Sequence, residues 1–157
     1  MDSVIRRAEE RDIPAILDLL IQVDMVHHRA RPDLFKGPAT KYSADELSGI
    51  FRNDQMPVFV YEENGQVLGH AFCLFQRHEE NAVLTNALTL YIDDLCVDER
   101  HRGKHIGRRL FDHAVEFARS SGCYNVTLNV WAQNEAALAF YRKQGLQPQK
   151  IGMEMIL

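Results

Sequence analysis

Two apolar runs meet at Asn64-Gly65 in the stretch PVFVYEENGQVLGHAFCLF, Pro57 to Phe75, and no other feature narrows the fold as much. A two-residue hairpin turn needs positive φ at both central residues, and Asn-Gly adopts it at low steric cost. The pair therefore predicts two neighbouring antiparallel strands in mid-chain. A third apolar run, ALTLYIDDLCV from Ala87 to Val97, supplies another strand. CYNVTLNVW alternates, with Tyr124, Val126, Leu128 and Val130 on one face, and Ser3 to Arg7 reads as a short opening strand.

Helical spacing fills the gaps between these strands. Asp12 is a candidate N-cap for a helix carrying Ile13, Ile16, Leu17, Leu20 and Val23, which should fade near Pro32. His27 to Tyr42 mixes proline, glycine and charge and reads mostly as loop. Ser43 with Glu46 forms a capping-box pattern that opens a second helix. Ile106, Leu110, Ala114 and Phe117, widened by Phe111, Val115 and Ala118, mark the buried face of a third. Asn134 caps a fourth, NEAALAFYRKQ, and Gly145 stops it as a left-handed C′ residue. The tail LQPQKIGMEMIL reads as one strand, or two broken near Gly152. The order is β-α-α-β-β-β-α-β-α-β(β), an α/β chain in which helices flank one mixed sheet. Residues 1–157 carry no repeat, low-complexity tract or linker that would divide them, so a single domain is expected.

Composition excludes several classes. With 46% hydrophobic and 25% charged residues the chain is not of a disordered type. The N-terminus MDSVIRRAEERD lacks a signal-peptide core, no apolar run is long enough to span a bilayer, and a cytoplasmic protein is expected. Cys73, Cys96 and Cys123 are odd in number, far apart and set in apolar surroundings, which suits free thiols better than disulfides or a zinc site. His101, His105 and His113 have no completing carboxylate or thiol, so no metal is expected.

A formal net charge of −4 makes the local cation cluster Arg100, Arg102, Lys104, Arg108 and Arg109 informative. Nucleic-acid binders spread positive charge over a face, so neither nucleic acid nor membrane is expected as a partner. A glycine-containing turn between a strand and a helix is a standard anion site. The first backbone N–H groups of the helix lack acceptors and lie at the positive end of its dipole. Neither the Walker spacing nor Gly-x-Gly-x-x-Gly occurs in the turn. An exposed basic helix start is the competing reading of the same residues.

RGKHIG, Arg102 to Gly107, resembles motif A of the GCN5-related N-acetyltransferases (GNAT superfamily), written Arg/Gln-x-x-Gly-x-Gly/Ala. YIDDLCVDE is similar to the central fourth strand of that family. VTLNVWAQNEAALAFYRKQGL resembles its fifth strand and fourth helix, and MEMIL its terminal strand. His105 departs from the pattern by standing in the slot of the motif's first glycine.

The resemblance implies a mainly antiparallel central sheet and an acyltransferase that moves the acetyl group of acetyl-CoA directly to a primary amine of a small molecule or protein. It places the pyrophosphate on Arg102, Gly103, Lys104, His105, Ile106, Gly107 and Arg108, and the pantetheine amides on the strand edge at Leu95, Cys96 and Val97. Asn134, Ala137 and Lys143 would close the coenzyme A site. Tyr141, in the family's Phe-Tyr position, is expected to protonate the leaving thiolate, with a core aromatic as the alternative. Asp93 is expected to act as general base, as one of two adjacent carboxylates that strand alternation sends to opposite faces. The alternative there is one solvated and one structural aspartate. Chain acidity and the Asp pair lean toward a cationic acceptor such as a polyamine or aminoglycoside. Dimers are frequent in the family, which allows for a homodimer. A non-catalytic acyl-CoA-binding sensor or partner module is the rival reading.

Overall fold

A computed structural model describes residues 2–157. Strands β1 (Ser3–Arg7), β2 (Val58–Glu63), β3 (Gln66–Gln76), β4 (Thr89–Val97) and β5 (Asn125–Leu128) form one sheet in the order β1-β2-β3-β4-β5. Every neighbouring pair is antiparallel except β4–β5, which is parallel. Helices α1 (Ile13–Ala30), α2 (Ala44–Phe51), α3 (Ile106–Ser120) and α4 (Glu135–Lys143) complete the chain.

The local signals explain most of these boundaries. Asn64 and Gly65 have φ of 50° and 78°, the left-handed pair that the β2–β3 turn requires. At the start of α2, Ser43 Oγ accepts the Glu46 N–H at 3.1 Å while Glu46 accepts the Ser43 N–H at 3.1 Å. Gly145, at φ 98°, ends α4. Asp12 behaves differently from the expected cap. Its carboxylate makes no cap bond to α1 and instead accepts both Arg6 guanidinium nitrogens at 2.8 and 2.9 Å and the Glu9 N–H at 2.8 Å.

Two apolar layers sandwich the sheet. Ile16 and Leu20 of α1 and Leu47 and Ile50 of α2 pack on Val58, Val60 and Phe72. On the other face α3 buries Ile106, Leu110, Phe111, Ala114 and Ala118 against Phe59, Tyr61, Ala71, Leu90 and Ile92. A fully buried Leu or Phe contributes about 1.5–3 kcal/mol, so α3 is the principal clamp on that side.

The β5 end is packed otherwise. Neither β5 nor α4 contains a buried residue, and α1 buries nothing beyond Leu20. The strand read in CYNVTLNVW shrinks to its middle, with Tyr124 left 80% exposed. The tail departs furthest from expectation. Residues 147–157 form neither of the expected strands, and all are exposed.

Candidate functional site

The strand β4 keeps a partner on only one side along half its length. It pairs with β5 from Thr89 to Ile92 and no further, whereas pairing with β3 continues to Val97. From Asp93 onward its β5-facing edge is open, which exposes a row of peptide groups beside α4. Leu95 and Val97 are half-buried along this edge, and Cys96 is buried. Burial pushes the Cys96 and Cys73 thiols up to about 12, so both stay protonated and inert.

The expected turn follows directly. Asp98 accepts the Arg100 N–H and a forked contact from its guanidinium at 3.1 and 2.8 Å, and these bonds hold its carboxyl down at about 2. Arg102, Gly103, Lys104 and His105 then cross the surface fully exposed, and Ile106 anchors the helix as a buried residue. Gly103 has φ 83°, and His105, the N-cap of α3, has φ 61° and makes no side-chain cap bond. The family slot for glycine is thus a left-handed position, which His105 occupies at a cost of about 1–2 kcal/mol. The first-turn N–H groups of α3 remain without a side-chain cap, and no acidic residue sits in that turn. At Gly107 an added Cβ would stand 3.5 Å from Val97 and 3.6 Å from Phe140, so this glycine looks into the gap between β4 and α4.

The cation cluster divides. Arg100 is spent on Asp98, and Arg109 turns to Ser3 Oγ and Tyr61 OH with its guanidinium 5.0 Å from the Tyr61 ring. Arg108 keeps only a 3.8 Å contact to Asp112, and Arg102 and Lys104 form no ion pair among the described residues. These three cations suit a phosphate-bearing ligand at the helix start, and the uncapped N–H groups beside them fit such a group.

On α4, Asn134 Oδ1 accepts the Ala137 N–H at 3.2 Å, so both serve the helix cap, while Lys143 is exposed at the other end. Tyr141 packs with Phe111 and Phe140 and its hydroxyl bonds to none of the described residues. Burial, and then the negative charge of Asp94, raise its phenol well above the ordinary range. It remains protonated at any working pH.

The two aspartates do not point to opposite faces. Phe72 pairs with Asp94 and Cys73 with Ile92, which leaves Asp93 as the extra residue of a β-bulge. Asp93 takes Lys41 Nζ on both oxygens at 2.8 Å and Tyr42 OH on Oδ2 at 2.9 Å. Asp94 Oδ2 lies 2.5 Å from His70 Nε2. Tyr42 stacks on Phe72 at 5.6 Å and His70 meets the same ring edge-on at 4.9 Å, so both carboxylates serve the α1–α2 side. The bulge cancels the alternation on which the opposite-face expectation rested.

Lys41, Tyr42 and His70 are partners that the sequence reading missed. The first two sit in a loop whose course no periodicity encodes. His70, a wholly buried polar residue inside an apolar run, carried a signal. Phe35 stacks on His27 at 4.9 Å and meets Trp131 edge-on at 5.3 Å, while His28 Nδ1 lies 2.7 Å from the Phe35 carbonyl. These contacts tie the end of α1 and the loop after it to Trp131, beyond β5. His113 packs on Phe59, and burial lowers its pKa. Among the described residues no helix is long and apolar enough to cross a membrane.

Comparison with known proteins places this geometry. The model of the Acetyltransferase (GNAT) family matches residues 20–146. A glucosamine 6-phosphate N-acetyltransferase of Trypanosoma brucei brucei is 28% identical over 159 residues, covering 100% of this chain and 97% of that protein. A tetramutant of the BH1408 protein from Bacillus halodurans superposes with TM-score 0.93 at 27% identity, covering 98% of this chain and 99% of that one. The glucosamine-6-phosphate N-acetyltransferase of Arabidopsis thaliana superposes with TM-score 0.73 at 22% identity over 99% of both chains, a likeness of fold.

Proposed function

From the premise that this chain belongs to the Acetyltransferase (GNAT) family, we propose that it moves the acetyl group of acetyl-CoA directly to a primary amine. The observation that carries this reading is the open edge of β4 running into the uncapped start of α3. The backbone of Leu95, Cys96 and Val97 offers strand-like pairing to the amides of a pantetheine arm. Arg102, Lys104 and Arg108, with the N–H groups of His105, Ile106 and Gly107, take the pyrophosphate, and Gly103 lets the turn approach it. In this reading Asn134, Ala137 and Lys143 of α4 close the coenzyme A site, as the family resemblance implies. The bound thioester supplies an activated acetyl group and a thiolate leaving group.

Tyr141 keeps its proton because burial and Asp94 oppose ionisation, so its hydroxyl can donate to a developing thiolate. The acceptor amine arrives protonated, since a lysine-like amine has a pKa of about 10.4, and must lose a proton before it attacks. Asp93 is the base in this reading. Both of its oxygens are engaged by Lys41 and Tyr42, which favours removal of the proton through an intervening water. Lys41 also offsets the charge of Asp93, which weakens the lean toward a strongly cationic acceptor.

Thermal unfolding with acetyl-CoA, free CoA, ATP and NAD tests the coenzyme. At 100 times Kd a ligand adds about 2.7 kcal/mol, a rise of roughly 5–10 °C for a chain of this size. Both CoA ligands should give that rise and ATP and NAD should not. The rise should shrink in Arg102→Ala and Lys104→Ala, and no rise with either CoA ligand would remove this function.

A further inference from the structure

Lys41 puts a primary amine on the group that the proposed reaction uses as its base. Its Nζ lies 2.8 Å from each oxygen of Asp93, on a side chain that is 49% exposed. The loop fixes the backbone on both sides of this residue. Ala39 donates its N–H to Asp24 Oδ2 at 2.9 Å, while Tyr42 stacks on Phe72 and donates its hydroxyl to Asp93. The other lysines of the chain are Lys36, Lys104, Lys143 and Lys150. All of them are exposed, and none forms an ion pair among the described residues.

Asp93 also stands where an activated acyl group would arrive. Pairing of β4 with β5 stops at Ile92, so Asp93 is the first residue of the open edge. In the reading above, the pyrophosphate sits on the turn after β4 and the pantetheine arm runs back along Val97, Cys96 and Leu95. The far end of that arm, which bears the thioester, is then directed toward Asp93. An external acceptor must bring its amine to this spot, and Lys41 already has one there. An amine held by its own chain reacts at an effective concentration that free amines do not reach.

We propose that the chain acetylates itself at Lys41, with acetyl-CoA as donor and Asp93 as proton acceptor. The inference rests on the acetyl-transfer reading and adds a modification site to it. Asp93 takes one proton from the Lys41 ammonium along the existing hydrogen bond. Lys41 Nζ then forms an amide bond to the acetyl carbon as the carbon–sulfur bond breaks. Tyr141 gives its proton to the leaving sulfur and recovers one from the nitrogen. The products are an acetylated Lys41, free CoA thiol and the proton held on Asp93. The amide carries no charge, so its formation releases Asp93 for an external amine.

Peptide mapping of the full chain by mass spectrometry, after incubation with acetyl-CoA and no amine, tests the site. At early times Lys41 should carry acetyl at roughly tenfold or more the occupancy of Lys36, Lys104, Lys143 and Lys150. That preference should vanish in chain unfolded by urea. Equal occupancy of all these lysines in the folded chain overturns the proposal. The fraction labelled per unit time should not depend on chain concentration, and a rate that grows with it would overturn transfer within one chain. Asp93→Asn separates a base from a structural partner by the sign of its effect. Loss of an ordinary ion pair frees the amine and raises its reactivity. Loss of the proton acceptor should instead slow labelling of Lys41 about tenfold or more, with the thermal shift by acetyl-CoA retained. Labelling that rises or stays unchanged overturns the inference. Thiol release with added amines is read on the same wild-type chain. Unlabelled Lys41 with amine-dependent release removes self-acetylation alone, and absence of both removes acetyl transfer as well.

Discussion

Asp93 is held by residues from a loop rather than by its own strand. Lys41 contacts both of its oxygens and Tyr42 one of them, and the bulge that leaves Asp93 unpaired turns it toward them. Asp94 is held by His70, whose Nδ1 is buried without a partner, and its charge reaches Tyr141. Two adjacent carboxylates thus have separable tasks. Asp93→Asn keeps the shape and the Tyr42 contact but removes the proton acceptor. Removing a general base typically costs 10²–10⁴-fold, so kcat/KM should fall about 100-fold and the acid limb of its pH profile should vanish. An unchanged profile would move the base elsewhere, with Asp94 the first to examine. Stability has its own acid dependence through Asp98. Its carboxyl titrates at about 2 when folded against 3.8 unfolded, so its contribution is intact above 3.8 and fades as pH drops toward 2.

At the scale of elements, the turn before α3 combines a sequence signal with a structural cost. His105 sits in left-handed backbone where its family pattern has glycine, and α3 starts without a side-chain cap. His105→Gly should relieve about 1 kcal/mol of strain, raising Tm by roughly 2–4 °C. A lower Tm would mean that the imidazole makes a contribution larger than its strain. The hairpin, the Ser43–Glu46 box, the α3 stripe and the Gly145 stop were legible because each is a short-range code written in adjacent residues. The bulge at Asp93 was not, since register belongs to the pairing of β3 with β4 and not to β4 alone. Nor was the division of the cations, for Arg109 meets Tyr61 and Ser3 only after folding brings β1 and β2 beside α3. The tail illustrates a third case. Its alternation does describe a strand, yet residues 147–157 pair with no edge of the sheet although β5 has one free.

The whole molecule is asymmetric in its packing. Around β2, β3 and α3 the core is closed, with Leu47, Val60, Leu90 and Leu110 wholly buried. In β5 and α4 no residue is buried, and there the edge of β4 beyond Ile92 stays open. A rigid half that positions groups and an open half that admits ligands is a sound arrangement for a transfer enzyme. Fold alone does not make it one, because a CoA-binding module could use the same frame without turnover. The most direct measurement is release of free CoA thiol from acetyl-CoA on addition of a panel of primary amines, including polyamines, aminoglycosides and amino-sugar phosphates. Wild type should release thiol with at least one amine, matched by acetylated product. Tyr141→Phe should release it at least about tenfold more slowly while the thermal shift with acetyl-CoA is preserved. Binding of acetyl-CoA with no amine-dependent thiol release, and no difference between wild type and Tyr141→Phe, would contradict catalysis and leave a non-catalytic binding module.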